Sequence, residues 1–384
     1  MPRDTTAGRR LRVLQVNSVF AGGGIDSQTL ELVRGLLANG AEVTLAVCQG
    51  SGMIPQAQAV PQLRLVILPS SRWAFIRALS RDIRSWQPDI VHAHFGRDHW
   101  PAIIASWLAG HRPRVVASRH LIHVNSFGSR AMLLRCADVV AVSQAVRTVL
   151  DASLHGPRSR LHQVYGGVDC RYFLPVPTRT ALAAKAKLGF DADDVVFSVL
   201  GFFNPPRGKG QMEFLRAAAR LHGQNPHARF LIVGAGGLQA EMQTFIADNG
   251  LQETARIMGW QRDVREVLAA TDVLVYPAVE PEALGMTLWE AMACGRPVVA
   301  TAMGGMPEAF EPGRHGLLVP PDDVDALAAA MLRLASDADL RRRWGSAASG
   351  YIRERASTPA FGRRMLRLYH EILRRERRDP ASAA

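Results

Sequence analysis

Short apolar runs rich in β-branched residues recur along this chain, each closed by glycine, proline or a polar cluster, and they alternate with stretches of helical period. Residues 11–17 (LRVLQVN) open the series as a strand, run into the glycine-rich loop 18–27 (SVFAGGGIDS), and are followed by a helix over about residues 28–38. Strand, glycine loop and helix together form the opening unit of a doubly wound sheet, whose ligand site lies at the carboxyl ends of the strands. Further strands are expected at 41–47, 63–68, 88–94 (PDIVHAH), 115–120 (VVASRH) and 138–143 (DVVAVS), with 51–62 (SGMIPQAQAVPQ) as a polar surface loop. Residues 72–86 have helical period: Trp73, Ile76, Leu79, Ile83 and Trp86 fall on one side and Arg72, Arg77, Arg81 and Arg84 ring the other. Two readings compete there, an apolar face packed on the sheet and a helix lying on an anionic membrane.

The same pattern starts afresh after a stretch holding Pro175 and Pro177, which suits a hinge between domains. Residues 195–200 read as a strand, 201–210 (GFFNPPRGKG) as a loop and 211–222 as a helix. Residues 230–237 (FLIVGAGG) form a strand and glycine turn, but full GxGxxG spacing and a following acidic strand end are missing, which argues against a dehydrogenase. A strand at 272–276, a helix at about 285–294, a helix at 324–335 and a basic helix at 361–378 complete the pattern.

Length and composition agree with two cores: the chain has 384 residues, 48% of them hydrophobic. No run of eighteen apolar residues occurs and the N-terminus MPRDTTAGRR lacks a signal-peptide core, so a soluble or peripheral protein on the cytosolic side is expected. Cys48, Cys136, Cys170 and Cys294 are scattered without CxxC spacing and read as thiols in a reducing compartment. The net charge of +12 and pI near 10.5 favour an anionic partner. Nucleic acid is not that partner on this reading, because no RNP, zinc-finger or helix-turn-helix signature is present.

Candidate chemistry concentrates in residues 272–308, where a buried strand empties into an acidic loop and then a helix start. Amides at a helix start are unpaired and carry partial positive charge, so those around Leu284, Gly285 and Met286 suit a phosphate. Glu282 and Glu290, eight positions apart, can turn carboxylates to the same crevice, where carboxylates bind vicinal diols such as a ribose or a sugar. Arg207 and Lys209 stand at the start of another helix, as a diphosphate requires, although a solvated basic turn would read the same. Gly22, Gly23 and Gly24 let a substrate approach the backbone. His92, His94 and His99 invite a metal reading, which is rejected because alternate residues on a strand point to opposite faces and no Cys or carboxylate joins them. His120 ends its strand beside Arg119 and reaches the same edge; a lone His is otherwise structural.

The run EALGMTLWEAMACGRPVV, with GGMPE after it, resembles the E-x7-E signature of retaining GT-B glycosyltransferases, specifically glycosyltransferase family 4. The resemblance extends over nearly the whole chain and implies an α/β fold with two Rossmann-like, doubly wound domains facing a central cleft. It implies that Glu282 touches the transferred sugar, that Glu290 binds the nucleotide ribose, and that His120 lies close to the sugar. Residues 18–27 are similar to the family's GGxE loop, with Asp26 in the acidic place, which faces donor phosphates and acceptor. Lys209 matches the diphosphate-binding Lys of GRLxxxKG; Phe202 stands where that motif has Arg, and Arg207 is inferred as its substitute. Leu284 stands at a frequent Phe position, and Gly166 replaces Asn in an NGVD-like linker.

The expected domains are 1–175, acceptor-binding, and 176–360, nucleotide-sugar-binding, with the helix at 361–378 packing back on the first. The expected activity is transfer of a sugar from a nucleotide-sugar donor to a glycan or lipid-linked acceptor, with retention, in cell-surface polysaccharide, lipopolysaccharide or glycolipid synthesis. Retention is implied to follow a front-face course in which the donor phosphate helps take the acceptor proton. No metal or other cofactor is expected, since no Asp-x-Asp ends a strand and Asp322-Asp323 lies in a late turn. The expected location is cytoplasmic, with an anionic membrane surface as a further partner. The alternatives are a nucleotide-sugar hydrolase or epimerase on the same fold and a noncatalytic basic binding protein.

Overall fold

The computed structural model describes residues 9–120 and 127–378, in two compact units. One comprises the chain up to Gly167 together with the segment from Arg355 onward; the other is Val168–Glu354. Both are parallel sheets flanked by helices, the doubly wound α/β architecture expected from the alternation of apolar runs and helical stretches.

In the first unit the strands are β1 (Arg12–Asn17), β2 (Glu42–Cys48), β3 (Arg64–Leu68), β4 (Ile90–Ala93), β5 (Arg114–Arg119), β6 (Asp138–Ala141) and β7 (Leu161–Gln163). Their order is β3-β2-β1-β4-β5-β6-β7, every pair parallel, so the winding reverses between β1 and β4. A reversal parts the loops leaving two neighbouring strands and opens a crevice at their carboxyl ends. Both strands are buried throughout except at Arg12, which is why they read as near-continuous apolar runs.

Two helices, Gly24–Ala38 and Thr358–Arg378, cross with backbones touching: a Cβ on Gly362 would sit 2.1 Å from Gly35 O. The second of these begins a little before the expected 361 and carries Met365, Leu368, Tyr369 and Ile372 into the core of this unit. The first begins at Gly24 rather than near Gln28, because Gly23 serves as its N-cap and Asp26 answers from the first turn. The stretch 51–62 is not simply a surface loop: it holds a short helix, Ile54–Gln58, and buries Ala57 and Val60. In helix Arg72–Trp86 the buried stripe is Phe75, Ile76, Leu79 and Ile83, while Trp73 lies 68% exposed. Trp86 is half-buried, with the Arg12 and Arg64 guanidinium groups over its ring.

In the second unit β8 (Val195–Leu200), β9 (Ala228–Val233), β10 (Ala255–Ile257), β11 (Val273–Tyr276), β12 (Val298–Thr301) and β13 (Gly316–Val319) pair in the order β10-β9-β8-β11-β12-β13, again all parallel. The reversal here lies between β8 and β11. Helix Ala338–Arg355 was not foreseen: its inward stripe, Leu340, Trp344, Gly345, Ala348, Ser349 and Ile352, is built largely from small residues among charges. The division at 167/168 precedes the expected hinge prolines. Gln28 holds Gly167 through both its N–H and its carbonyl, whereas the Val176 N–H donates to Cys294 O, so residues 175–177 pack with the second unit. All four cysteines are free thiols. Among the described residues no helix is long and apolar enough to cross a membrane.

Candidate functional site

In the second unit, chemistry gathers where the sheet reverses. The loop after β8 and the loop after β11 meet there, close enough that a Cβ on Gly210 (φ +83°) would overlap Pro277 O at 1.8 Å. Lys209 comes from the first loop and Glu282 from the second, and their side chains form an ion pair, both partly exposed. The Glu282 carboxylate also accepts from the buried Tyr276 hydroxyl, whose pKa rises well above the usual phenol through burial and then the nearby carboxylate. The Glu282 backbone is clamped: its carbonyl accepts the Gly305 N–H at 2.8 Å, and a Cβ on Gly304 (φ +55°) would lie 2.2 Å from the same oxygen.

Helix Met286–Ala293 starts three residues beyond Glu282, with Gly285 as an N-cap that offers no side chain. No hydrogen bond reaches the amides of Leu284, Gly285 and Met286 from the described residues. These N–H groups are therefore unpaired among the described residues, in the loop that carries Glu282. Glu290 lies one turn into this helix, half-buried. Trp289 on the same helix is anchored by its indole N–H to Ala309 O at 2.8 Å, which fixes the helix against the segment after GGMPE.

Arg207, like Lys209, is held by carboxylates of its own unit. Its guanidinium is shared between Glu213, at 2.6 Å, and Asp322, so its charge is balanced inside the unit. The residue that sequence reasoning missed here is Gln211. Fully buried, it accepts the Lys209 N–H at 2.7 Å and donates to Gly201 O, holding the loop's two ends together. The loop also docks on the FLIVGAGG turn: the Phe203 N–H donates to Ala235 O and the Leu238 N–H to Phe203 O. The glycine turn that resembles a dinucleotide fingerprint is thus a seat for a neighbouring loop.

In the first unit the glycine loop is organised by Asp26. One carboxylate oxygen accepts the N–H groups of Ala21, Gly22 and Gly23 at 2.8–2.9 Å and the other accepts from Asn17. The Gly23 amide is therefore committed to Asp26, while Gly24 is exposed, with open space where a Cβ would be. Asp98 does the same for the chain leaving β1, accepting from the Ser18 N–H and hydroxyl. Burial raises the Asp98 pKa, and the Ser18 bonds oppose the rise.

Beside this loop lies a pile of imidazoles. His92 and His94 stack with ring centroids 4.4 Å apart, and His120 follows at 5.9 Å from His94. This corrects the expectation that the pair at the end of β4 would diverge: positions 92 and 94 are two apart, and extended chain returns to the same face every second residue. His92 bridges Ser118 and Tyr369, His94 donates to Gln15, and His99 donates to Ser118 O. Nδ1 of His94, Nδ1 of His99 and Nε2 of His120 are buried with no hydrogen-bond partner. Burial pushes His92 and His99 down to about 3 and His120 to about 4, with neighbouring imidazoles and Arg119 adding to the effect, so all are neutral near pH 7. Among the described residues no three His, Cys, Asp or Glu side chains are placed to hold a metal ion. Gln15 and Tyr369, which complete this network, carried only a weak signal: a polar residue inside an apolar strand and a tyrosine in a basic helix.

Of the predicted site residues the structure unites Lys209, Glu282, Leu284, Gly285, Met286 and Glu290 in the second unit; Gly23, Gly24 and His120 belong to the first. Comparison with known proteins now gives this arrangement a family. A sequence profile described as Glycosyltransferase Family 4 matches residues 22–172, and one described as Glycosyl transferases group 1 matches residues 194–337. The D-inositol 3-phosphate glycosyltransferase of Thermobispora bispora is 26% identical over 93% of this chain and 91% of its own length. A GDP-mannose-dependent mannosyltransferase of Corynebacterium glutamicum, named for a monoacylated phosphatidylinositol monomannoside, is 29% identical over 56% of this chain and 57% of its own. Among solved structures, HepE of Anabaena, in complex with UDP and glucose, superposes with a TM-score of 0.80 at 21% identity, covering 94% of this chain and all of that one. Sucrose-phosphate synthase of Thermosynechococcus elongatus does so with 0.75 at 22% identity over 94% and 99%. With a matching profile on each unit and the fold of GT-B enzymes, the chain belongs to the family 4, or group 1, glycosyltransferases.

Proposed function

We propose that this glycosyltransferase moves a sugar from a nucleoside diphosphate donor to an acceptor hydroxyl with retention at the anomeric carbon, and that it needs no metal. The observation that carries the reading is the Lys209–Glu282 pair set directly before a helix start with free amides. A departing nucleoside diphosphate gains negative charge in the transition state, and fixed cations and amides stabilise such charge without reorganising. Lys209 supplies the cation, and the amides of Leu284, Gly285 and Met286 supply the dipoles. Glu290 is assigned the ribose hydroxyls and Glu282 the hydroxyls of the transferred sugar. Arg207, already balanced by Glu213 and Asp322, is assigned the support of this loop rather than the diphosphate charge.

The second unit then binds donor and the first binds acceptor. An imidazole exchanges hydrogen bonds with hydroxyls, so His120, half-buried just after β5, is assigned a sugar hydroxyl. The chemical step proposed is front-face: the bond from C1 to the diphosphate oxygen breaks, the acceptor oxygen bonds C1 on the side just vacated, and its proton passes to the departing phosphate oxygen. Relatives named for phosphatidylinositol mannoside and inositol phosphate support an acceptor that carries phosphate or lipid, as in glycolipid or surface-glycan synthesis at an anionic membrane.

The test is the stereochemistry of the product. A panel of α-linked nucleotide-sugar donors, incubated with the protein and candidate acceptors, is read by the anomeric proton coupling of the product. An α-linked glycoside formed with chelator present is expected. A β-linked product, or free sugar alone at the full rate of donor loss, would overturn the proposal.

A further inference from the structure

Far along the second unit from the carboxyl ends of its strands, a cavity of about 750 Å3 opens beside the residue that precedes β11. That volume lies within the range of ligand pockets, roughly 300–1,000 Å3, and exceeds what a bare inorganic ion fills. Its charged lining is Lys185, Asp272, Arg296, Arg341, Arg342 and Arg353, five cations to one carboxylate. The carboxylate is already spoken for: Asp272 takes the Lys185 ammonium at 2.7 Å and the Val196 N–H at 2.8 Å. Lys185 gives a further bond to Asp194 O and Arg342 is ion-paired with Asp339, so the excess charge of the cavity resides on Arg296, Arg341 and Arg353.

Two of those arginines are held in place by one edge. Arg296 donates through Nε to Leu268 O and through Nη2 to Ala269 O, at the end of helix Arg265–Ala270. Arg341 donates through Nη1 to Leu334 O and Ala335 O, in the last turn of helix Val324–Ser336. Carbonyl groups at helix ends attract cations, which accounts for these edges. Nη1 of Arg296 and Nη2 of Arg341 have no protein acceptor among the described residues, nor does Arg353. Burial lowers the pKa of both anchored guanidinium groups, the mark of a charge held at a cost its neighbours do not fully offset. Pre-positioned guanidinium donors with a free edge match the oxygens of a phosphate.

We infer that this cavity binds a small organic phosphate, of sugar-phosphate to nucleotide size, at a site separate from Lys209 and Glu282. Its walls include Pro175, Val176 and Thr178, just after the chain enters this unit, and Ser349, Gly350 and Arg353, just before it leaves. A ligand bridging those walls ties the two passages together, which makes the site an effector site. The inference rests on the second unit's geometry and not on the donor assignment.

Inorganic pyrophosphate is the probe, titrated calorimetrically into the full-length protein at constant ionic strength set by chloride. Binding is expected to persist in Lys209→Met and to weaken about tenfold in Arg353→Gln and in Arg341→Gln, each of which removes a charge-assisted bond. Arg353 is exposed and its replacement is expected to leave the fold intact, so it decides the matter if Arg341→Gln loses its helix anchor and fails to fold. Absence of binding, loss of all binding in Lys209→Met, or an unchanged affinity in Arg353→Gln would overturn the inference. Hydrogen exchange in residues 172–178 is expected to slow on addition of pyrophosphate to Lys209→Met; no change there would overturn the effector role.

Discussion

Gly304 places Glu282 more firmly than any residue next to Glu282 in sequence. Its backbone lies against the glutamate's backbone in a left-handed conformation, so an added Cβ meets both strain and a 2.2 Å overlap with the carbonyl. Gly304→Ala is expected to cost about 1–3 kcal/mol of stability and, by displacing the carboxylate, to lower kcat/KM for transfer by about a hundredfold. Thermal unfolding and initial rates check this, and a variant with unchanged melting and unchanged rate would show that the clamp is not needed. The pairing of Lys209 with Glu282 belongs to the same scale. Each neutralises the other, so a donor that takes up the ammonium through phosphate and the carboxylate through hydroxyls exchanges one balanced set for another.

The loops are set by the elements that bracket them. The loop after β8 is tied at both ends by Gln211, a side chain on the first residue of the following helix, and it rests on the turn after β9. Gln211→Ala frees the Lys209 backbone, and donor affinity is expected to fall about tenfold with little change in the rate at saturation, read as KM against kcat. A fall in kcat alone would place the role of Gln211 in chemistry instead.

How much of this could be read from the chain follows from distance along it. Lys209, Glu282 and the helix start at Met286 were legible, because charged residues in short loops between an apolar run and a helical stretch have few other places to go. The neutralisation of Arg207 was not, since Asp322 lies 115 positions away. The partner of His92, Tyr369, lies 277 positions away, on a basic helix whose return to the first domain was implied by the resemblance alone, with no residue of it singled out. The stacking of His92 on His94 was available from strand periodicity alone and was misread.

Across the whole molecule the imidazole pile ties stability to pH. Folding holds His92 and His99 near 3 and His120 near 4, against 6.5 for the ordinary group, and burial lowers His94 in the same direction. Between those values the unfolded chain binds protons that the folded chain refuses, so stability rises with pH through that window and levels off above about pH 7. Each histidine contributes up to about 1.4 kcal/mol per pH unit. His92, His99 and His120 together give a slope of up to about 4 kcal/mol per unit between about pH 4.5 and 6. Asp98, with its raised pKa, acts in the opposite sense, but as a single group. Melting temperatures taken from pH 8 down to pH 5 should hold steady and then fall steeply; a flat profile would mean that these rings are not buried neutral.

The donor site of the second unit is where Lys209 and Glu290 would act together. Calorimetric titration of UDP, GDP and ADP into the protein, into Glu290→Ala and into Lys209→Met measures it directly. One nucleotide is expected to bind well below millimolar concentration, and each substitution is expected to weaken it about tenfold or more. Failure of all three to bind the unaltered protein, or binding that neither substitution changes, would contradict the assignment of Lys209 to the diphosphate and Glu290 to the ribose.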